Sequence, residues 1–160
     1  MKNARYITYS AIIAAVYAAI TLLLAPMSFA AVQLRVSEAM TLLPILTPAA
    51  IPGLTVGCLV ANLLGGAAPM DIAFGPLATL IAAIVTRKLR AKPWLAASAP
   101  VVSNALIIGL VLSLTLENMP FWFSAATVGL GEIGACYVLG LPLLWAIRRY
   151  APGLFQDGMR

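Results

Sequence analysis

The chain has 160 residues, of which 62% are hydrophobic and 9% charged. Its mean hydropathy of +1.01 is far above that of a soluble domain, in which roughly 25% of residues are charged. Ten Lys and Arg against five Asp and Glu give a formal charge of +5, and the absence of histidine removes the commonest general base and metal-binding side chain. The composition places the chain in a bilayer and argues against hydrolytic or metal chemistry.

Charges and prolines punctuate the chain into predicted membrane helices, each needing about 20 apolar residues to cross. Lys2 and Arg5 precede an uncharged run from Tyr6 to Leu34, too long for the apolar region of a cleavable signal, and it reads as a retained span. The first helix is expected from Ile7 to Ala25, stopping at Pro26. From Ser37 to Gly66 the apolar run is interrupted by Pro44, Pro48 and Pro52-Gly53, and proline breaks helices at such places. Ser37 and Glu38 supply a cap and a first-turn acid for a short second helix over 37–47, and a third follows over 51–64. The fourth is expected over 71–87, the fifth over 94–116, closed by Glu117 and Asn118, and the sixth over 121–147, stopped by Arg148-Arg149. The reading is an all-α integral membrane protein, a single transmembrane domain over 1–160 with six helices.

Cytoplasmic loops accumulate Lys and Arg. Six crossings with both termini cytoplasmic put Lys2, Arg5, Arg87, Lys88, Arg90, Lys92, Arg148, Arg149 and Arg160 inside and leave Arg35 alone outside. Five crossings would split the basic clusters between the two faces. The acids Glu38, Asp71 and Glu117 fall near the outer surface. Glu132 lies about eleven residues into the sixth helix, ~16 Å deep at 1.5 Å per residue, near the midplane, and Asn104 reaches a comparable depth on the fifth.

An ionisable group at that depth costs at least ~2.5 kcal/mol on insertion scales, so Glu132 should face the bundle interior with a partner or a ligand. A protonated acid bonded to a neighbouring helix, or a proton-coupling group, would serve as well. Asn104 needs hydrogen bonds that lipid cannot supply, through either an interhelical clasp or a ligand, and Asn62 presents a weaker case of the same kind. Arg35 and Glu38 stand three residues apart, which suits local pairing, but the segment also joins two helices where a polar loop can close over a ligand. Asp71 reads as a capping charge able to attract a cation. Trp122, between Phe121 and Phe123, reads as part of an aromatic belt or as a ring on which a flat ligand stacks. Ala11, Ala15 and Ala19, at spacings of four, let another helix approach closely, from this chain or a partner. Cys58 and Cys136 lie in apolar runs and read as small buried hydrophobes. No glycine loop ending in Lys-Ser or Lys-Thr is present, so the chain does not hydrolyse ATP by itself.

With these residues in view, the chain resembles the substrate-binding S component of an energy-coupling factor (ECF) transporter, of the queuosine-precursor (QueT) family. The resemblance covers nearly the whole length. It rests on Gln33-Leu34-Arg35-Val36-Ser37-Glu38-Ala39 with Leu42-Leu43-Pro44, Ala50-Ile51-Pro52-Gly53-Leu54, Gly57-Cys58, Ala61-Asn62-Leu63-Leu64-Gly65-Gly66 and Asp71-Ile72. It implies a six-helix S component in a prokaryotic plasma membrane that binds its solute from outside. It also implies docking on a transmembrane coupling subunit driven by two cytoplasmic ATPases. Ala11, Ala15 and Ala19 are the positions it marks for that docking, and the loop after the first helix, with Arg35 and Glu38, would cover the substrate. No cofactor, metal, catalytic residue or nucleic-acid partner is implied.

For a 7-deazaguanine substrate, Glu132 can accept from the ring N–H and exocyclic amine together, and Asn104 suits the neighbouring acceptors. An aminomethyl substituent would be attracted by Glu38, Asp71 or Glu117. The rival readings are a standalone proton-coupled carrier using Glu132, an S component for another vitamin, an integral-membrane enzyme and a bare assembly subunit. The carrier would normally show helix repeats, which are not evident. The enzyme would need paired carboxylates, a nucleophile or a metal cluster.

Overall fold

The computed structural model describes residues 2–25, 35–116 and 119–155. Gln33, Leu34, Pro26, Glu117, Asn118 and Arg160, used in the sequence reading, lie outside the described residues. All regular structure among the described residues is helical. The order is α1 (Lys2–Leu23), a 3-10 segment (Val36–Ile45), α2 (Ala50–Leu64), α3 (Pro69–Lys88), α4 (Pro93–Thr115, interrupted at Ala97) and α5 (Phe121–Tyr150). Within α5 the stretch Gly134–Gly140 is wound as a π-helix. Four helices are long and apolar enough to cross a membrane, namely α1, α3, α4 and α5, while the 3-10 segment and α2 are shorter apolar elements.

The segment expected as a short α-helix over 37–47 is instead a 3-10 helix, and residues Ser37 to Ile45 are all buried. Pro44 stands inside it and lacks the N–H that an α-helical ladder would use. Its end is closed by the Leu46 and Thr47 N–H groups, which both donate to Leu43 O at 2.9 and 3.0 Å. A 3-10 helix rises about 2.0 Å per residue against 1.5 Å in an α-helix, so these ten residues cover about 20 Å instead of 15. The tighter winding lets a short segment cross most of the bundle.

Glycines set the closest helix contacts. A Cβ on Gly53 would lie 2.8 Å from Ser10 O, and one on Gly57 would lie 2.9 Å from Ala14 O, so α2 rests on the backbone of α1. Ser10 Oγ extends that contact by donating to Ala49 O at 2.9 Å. On the other side, a Cβ on Gly109 of α4 would come within 2.8 Å of Ala125 Cα in α5. Small residues permit such approach where no hydrophobic effect drives helices together in lipid. Pro69 opens α3 with Asp71 in its first turn, and Arg87 and Lys88 fill its last turn, matching the helix dipole at both ends.

Consecutive elements alternate in direction. Tyr6 near the start of α1 donates to Pro48 O, and Arg87 at the end of α3 donates to Pro44 O and Ile45 O at 2.9 and 3.2 Å. Thr86 donates to Ala96 O, Tyr137 to Trp94 O, and the rings of Tyr9 and Phe155 meet at 5.6 Å. These contacts bring the start of α1, the end of the 3-10 segment, the α3–α4 turn and the last turns of α5 to one end of the bundle, and with them the basic stretches of the sequence. Leu23, Trp122, Leu64 and Leu130 are among the most exposed side chains, as suits an exterior facing lipid tails. The larger buried cluster surrounds the 3-10 segment and includes Tyr17, Leu42, Leu54, Cys58 and Cys136. A smaller one, Ala78, Ile108, Leu112 and Val128, joins α3, α4 and α5.

Candidate functional site

A polar cavity lies between the two clusters, lined by Arg35, Glu38, Gly75, Thr79, Asn104, Ile108, Val128 and Glu132. Four elements converge on it. The 3-10 segment brings Glu38, with Arg35 as its N-cap; α3 brings Gly75 and Thr79, one turn apart; α4 brings Asn104 and Ile108; and α5 brings Val128 and Glu132. Residues four apart on a helix share a face, so each helix presents one polar and one apolar or small position to the same space.

Glu132 and Asn104 meet across the α4–α5 contact, with Asn104 Nδ2 donating to Glu132 Oε1 at 2.7 Å. The second oxygen, Oε2, accepts from the Cys136 thiol at 3.6 Å, one turn further along. The two polar residues form the interhelical clasp and also border the cavity, so the two readings of Asn104 describe one arrangement. Together they set an acceptor and a donor side by side, the pattern that complements the edge of a guanine-like ring.

Glu38 is held from below by Tyr17 of α1, whose hydroxyl donates to Glu38 Oε1. Tyr17 is wholly buried, and a buried tyrosine hydroxyl usually finds such a partner. Thr21 and Ser37 bond side chain to side chain at 2.7 Å, tying the start of the 3-10 segment to α1 one turn beyond Tyr17. The carboxyl of Glu38 is thus bonded to Tyr17 and not only placed for local pairing with Arg35. Arg35 is itself 6% exposed, directs Nη1 to Cys58 Sγ at 3.9 Å, and lies within the electrostatic reach of Glu38 and Asp71.

Asn62 and Asp71 sit beside the cavity and not on its lining. Asn62 Nδ2 donates to Asp71 O at 2.8 Å, joining α2 to the first turn of α3. A Cβ on Gly75 would lie only 2.6 Å from that nitrogen, so the absence of a side chain at Gly75 is all that brings the amide next to the cavity wall. Trp122 stands apart. It is 81% exposed and meets Phe121 edge-on at 5.1 Å, away from the cavity. Of its two readings, a belt at the headgroups fits this geometry and stacking on a ligand in the cavity does not. Ala11, Ala15 and Ala19 are exposed along one face of α1, while Ile13, Tyr17, Ala18 and Thr21 turn inward.

Sequence reasoning passed over Tyr17, Gly75, Thr79, Thr41 and the two thiols as parts of the site. Thr41 closes onto Cys136 at 3.6 Å, linking the 3-10 segment to the π-helical stretch. Tyr17 had a detectable signal, being a phenol in the middle of an Ala-rich span. The others had none, because Thr and Cys are ordinary in apolar helices.

The free space in it is about 10 Å3, room for about one water molecule. A bicyclic ring system does not fit in that space. Three acids, Glu38, Asp71 and Glu132, surround one guanidinium, and burial of such charges costs several kcal/mol per ion unless they are paired or neutralised. Such a cluster stands out in a chain otherwise built of apolar side chains.

The chain matches no protein of curated function and no solved structure. It does match the family described as QueT transporter, over residues 7–149. That match takes in every element lining the cavity, and together with the four apolar spans it settles the identity: the chain belongs to the QueT transporter family and is a membrane transport protein.

Proposed function

We propose that the chain is the substrate-binding S component of an ECF importer, taking a queuosine precursor of the 7-deazaguanine class from outside and passing it inward through a coupling subunit and two ATPases. The observation that carries this reading is the Asn104–Glu132 pair bordering a buried cavity opposite Arg35 and Glu38. The Glu132 carboxylate accepts the ring N–H and exocyclic amine of the substrate, and the Asn104 amide donates to the neighbouring carbonyl. These bonds replace part of the present clasp when the walls open. Arg35 and Glu38, at the start of the 3-10 segment, act as the cover.

The family membership supports transport of a queuosine precursor. Six crossings are supported by the alternating directions of the elements, and cytoplasmic termini by the gathering of basic stretches at one end. The exposed faces of Ala11, Ala15 and Ala19 are free to receive the coupling subunit, and with no nucleotide-binding loop in the chain the energy comes from the partner ATPases. The chain binds and presents its cargo, with no reaction of its own, in a prokaryotic plasma membrane.

Calorimetry of the purified chain against a panel of purines, pterins and vitamins tests the substrate. Saturable binding confined to 7-deazaguanines is expected, and binding of a pterin or vitamin in their place contradicts the reading. Uptake by cells with and without the coupling subunit and ATPases tests the assembly. Full-rate accumulation by the chain alone would identify a self-sufficient carrier.

A further inference from the structure

The turn between α3 and α4 carries Arg87, Lys88, Arg90 and Lys92, four cations in six residues. Arg87 is turned to the bundle, where its Nη1 donates to Pro44 O and Ile45 O, while Lys88, Arg90 and Lys92 are exposed. Backbone bonds order the turn. The Leu89 N–H donates to Val85 O at 2.9 Å, the Arg90 N–H to Arg87 O at 3.4 Å and the Lys92 N–H to Leu89 O at 2.9 Å. The Leu89 side chain packs on the larger buried cluster. With Leu89 anchored inward, the three exposed cations are held within one short, fixed stretch.

Like charges this close repel one another, and Arg90 bears electrostatically on Arg87. The acids among the described residues stand elsewhere. Asp71 opens α3 at its far end, about 24 Å from Arg87 at 1.5 Å per residue, and Glu38 and Glu132 are buried at the cavity. Counter-charge for the turn therefore comes from outside the described residues.

An excess of Lys and Arg on one side is general to membrane proteins. What distinguishes this turn is the aromatic and apolar surface that continues from it. Trp94 is 71% exposed and is fixed by Tyr137, whose ring lies 5.9 Å away and whose hydroxyl donates to Trp94 O at 3.0 Å. An exposed tryptophan rests at headgroup level. Beyond it Leu95, Val102 and Leu106 are exposed, at spacings of seven and four that keep to one face of α4. A partner that suits both parts of this surface has an anionic head and a hydrocarbon tail.

We propose that the α3–α4 turn is a binding site for one anionic phospholipid, its phosphate held by Lys88, Arg90 and Lys92 and an acyl chain lying along Trp94 and Leu95. Lys and Arg donate charge-assisted hydrogen bonds to phosphate oxygens, and basic clusters beside membrane helices attract anionic headgroups. A zwitterionic phospholipid sets its own ammonium against the same cations and is the poorer ligand. The site lies at the basic end of the bundle, apart from the cavity, and does not depend on which solute the chain carries.

Native mass spectrometry of the full chain in detergent tests this with phosphatidylglycerol and phosphatidylcholine of identical acyl chains. The first phosphatidylglycerol should bind at least ~10-fold more tightly than phosphatidylcholine. The triple variant Lys88→Gln, Arg90→Gln, Lys92→Gln should lose that preference, and Arg90→Gln alone should weaken phosphatidylglycerol ~5-fold; the single variant serves if the triple one does not fold. The pair Arg148→Gln, Arg149→Gln, which removes exposed charge at the end of α5, should stay within ~2-fold of the unaltered chain. Equal affinity for the two lipids overturns the site, as does an equal loss in the α5 pair, which would mark diffuse attraction to the whole end. Displacement of phosphatidylglycerol by an equal concentration of glycerol 3-phosphate would make the turn a site for a free phosphate and overturn the lipid assignment. Loss of co-purification with the coupling subunit in the triple variant, with lipid preference unchanged, would make it a protein contact and overturn it too.

Discussion

Tyr17→Phe isolates the bond that holds Glu38 in place. The phenol is wholly buried, and its hydroxyl donates to Glu38 Oε1 while Oε2 has no donor among the described residues. Removing the hydroxyl leaves the ring packing nearly unchanged and takes the Tyr17 donor from the carboxyl. A hydrogen bond to a charged group is worth about 1.5–3 kcal/mol, and one between neutral groups about 0.5–1.5. Tyr17→Phe should therefore destabilise the chain by about 2 kcal/mol. In a Glu38→Gln background, where the acceptor is a neutral amide, the same change should cost about 1 kcal/mol or less, a coupling of about 1 kcal/mol in a double-mutant cycle. Equilibrium unfolding in mixed micelles, run on the four proteins of the cycle, measures both quantities. A Tyr17→Phe loss below about 0.5 kcal/mol, or strictly additive losses, would refute the account of Glu38 as a group positioned from α1.

Other residues give equally direct outcomes. Gly57→Ala places a Cβ 2.9 Å from Ala14 O and should destabilise by about 1–3 kcal/mol, as overpacking does; an unchanged unfolding midpoint would mean that α1 and α2 are less closely apposed. Ala15→Trp, on the exposed face of α1, should abolish co-purification with the coupling subunit and uptake while leaving binding to 7-deazaguanine intact, and lost binding would place that face inside the bundle. Gly140→Ala brings a Cβ within 3.0 Å of Leu42 Cδ1 and 3.1 Å of Ala39 O, so it should push the 3-10 segment away from α5 and weaken ligand binding and stability together. Intact binding with lowered stability would separate that contact from the site.

The membrane helices were legible because lipid imposes a length and expels charge. Arg87-Lys88 and Arg148-Arg149 mark the ends of α3 and α5 for that reason, and Pro26 follows closely on α1. The 3-10 winding of Val36–Ile45 was not legible. Pro44 signals a break, but whether the flanking residues wind tightly or stop depends on the depth they must span among the surrounding helices, which is a tertiary quantity. The π-helical stretch Gly134–Gly140 is hidden likewise, since it is tied to the close approach of Gly140 to the 3-10 segment. In the site, Glu132, Asn104, Arg35 and Glu38 stood out because each is costly in an apolar run, and the structure gathers them at one cavity. Trp122 left two readings open because an aromatic ring is equally at home against lipid and against a ligand, and its 81% exposure accords with the belt. Tyr17, a phenol inside an Ala-rich span, was a cue left unused, and only its burial beside Glu38 shows what its hydroxyl does.

The claim on which the account turns is that Glu132 grips the donor edge of a 7-deazaguanine. Calorimetry with 7-deazaguanine and with the analogue lacking its exocyclic amine, on the unaltered chain and on Glu132→Gln, measures that contact directly. Removing the amine should cost the unaltered chain ~10- to 100-fold in affinity and the variant only a few-fold, because the charged acceptor is already gone. An identical loss in both proteins, or no loss in the unaltered chain, would contradict it.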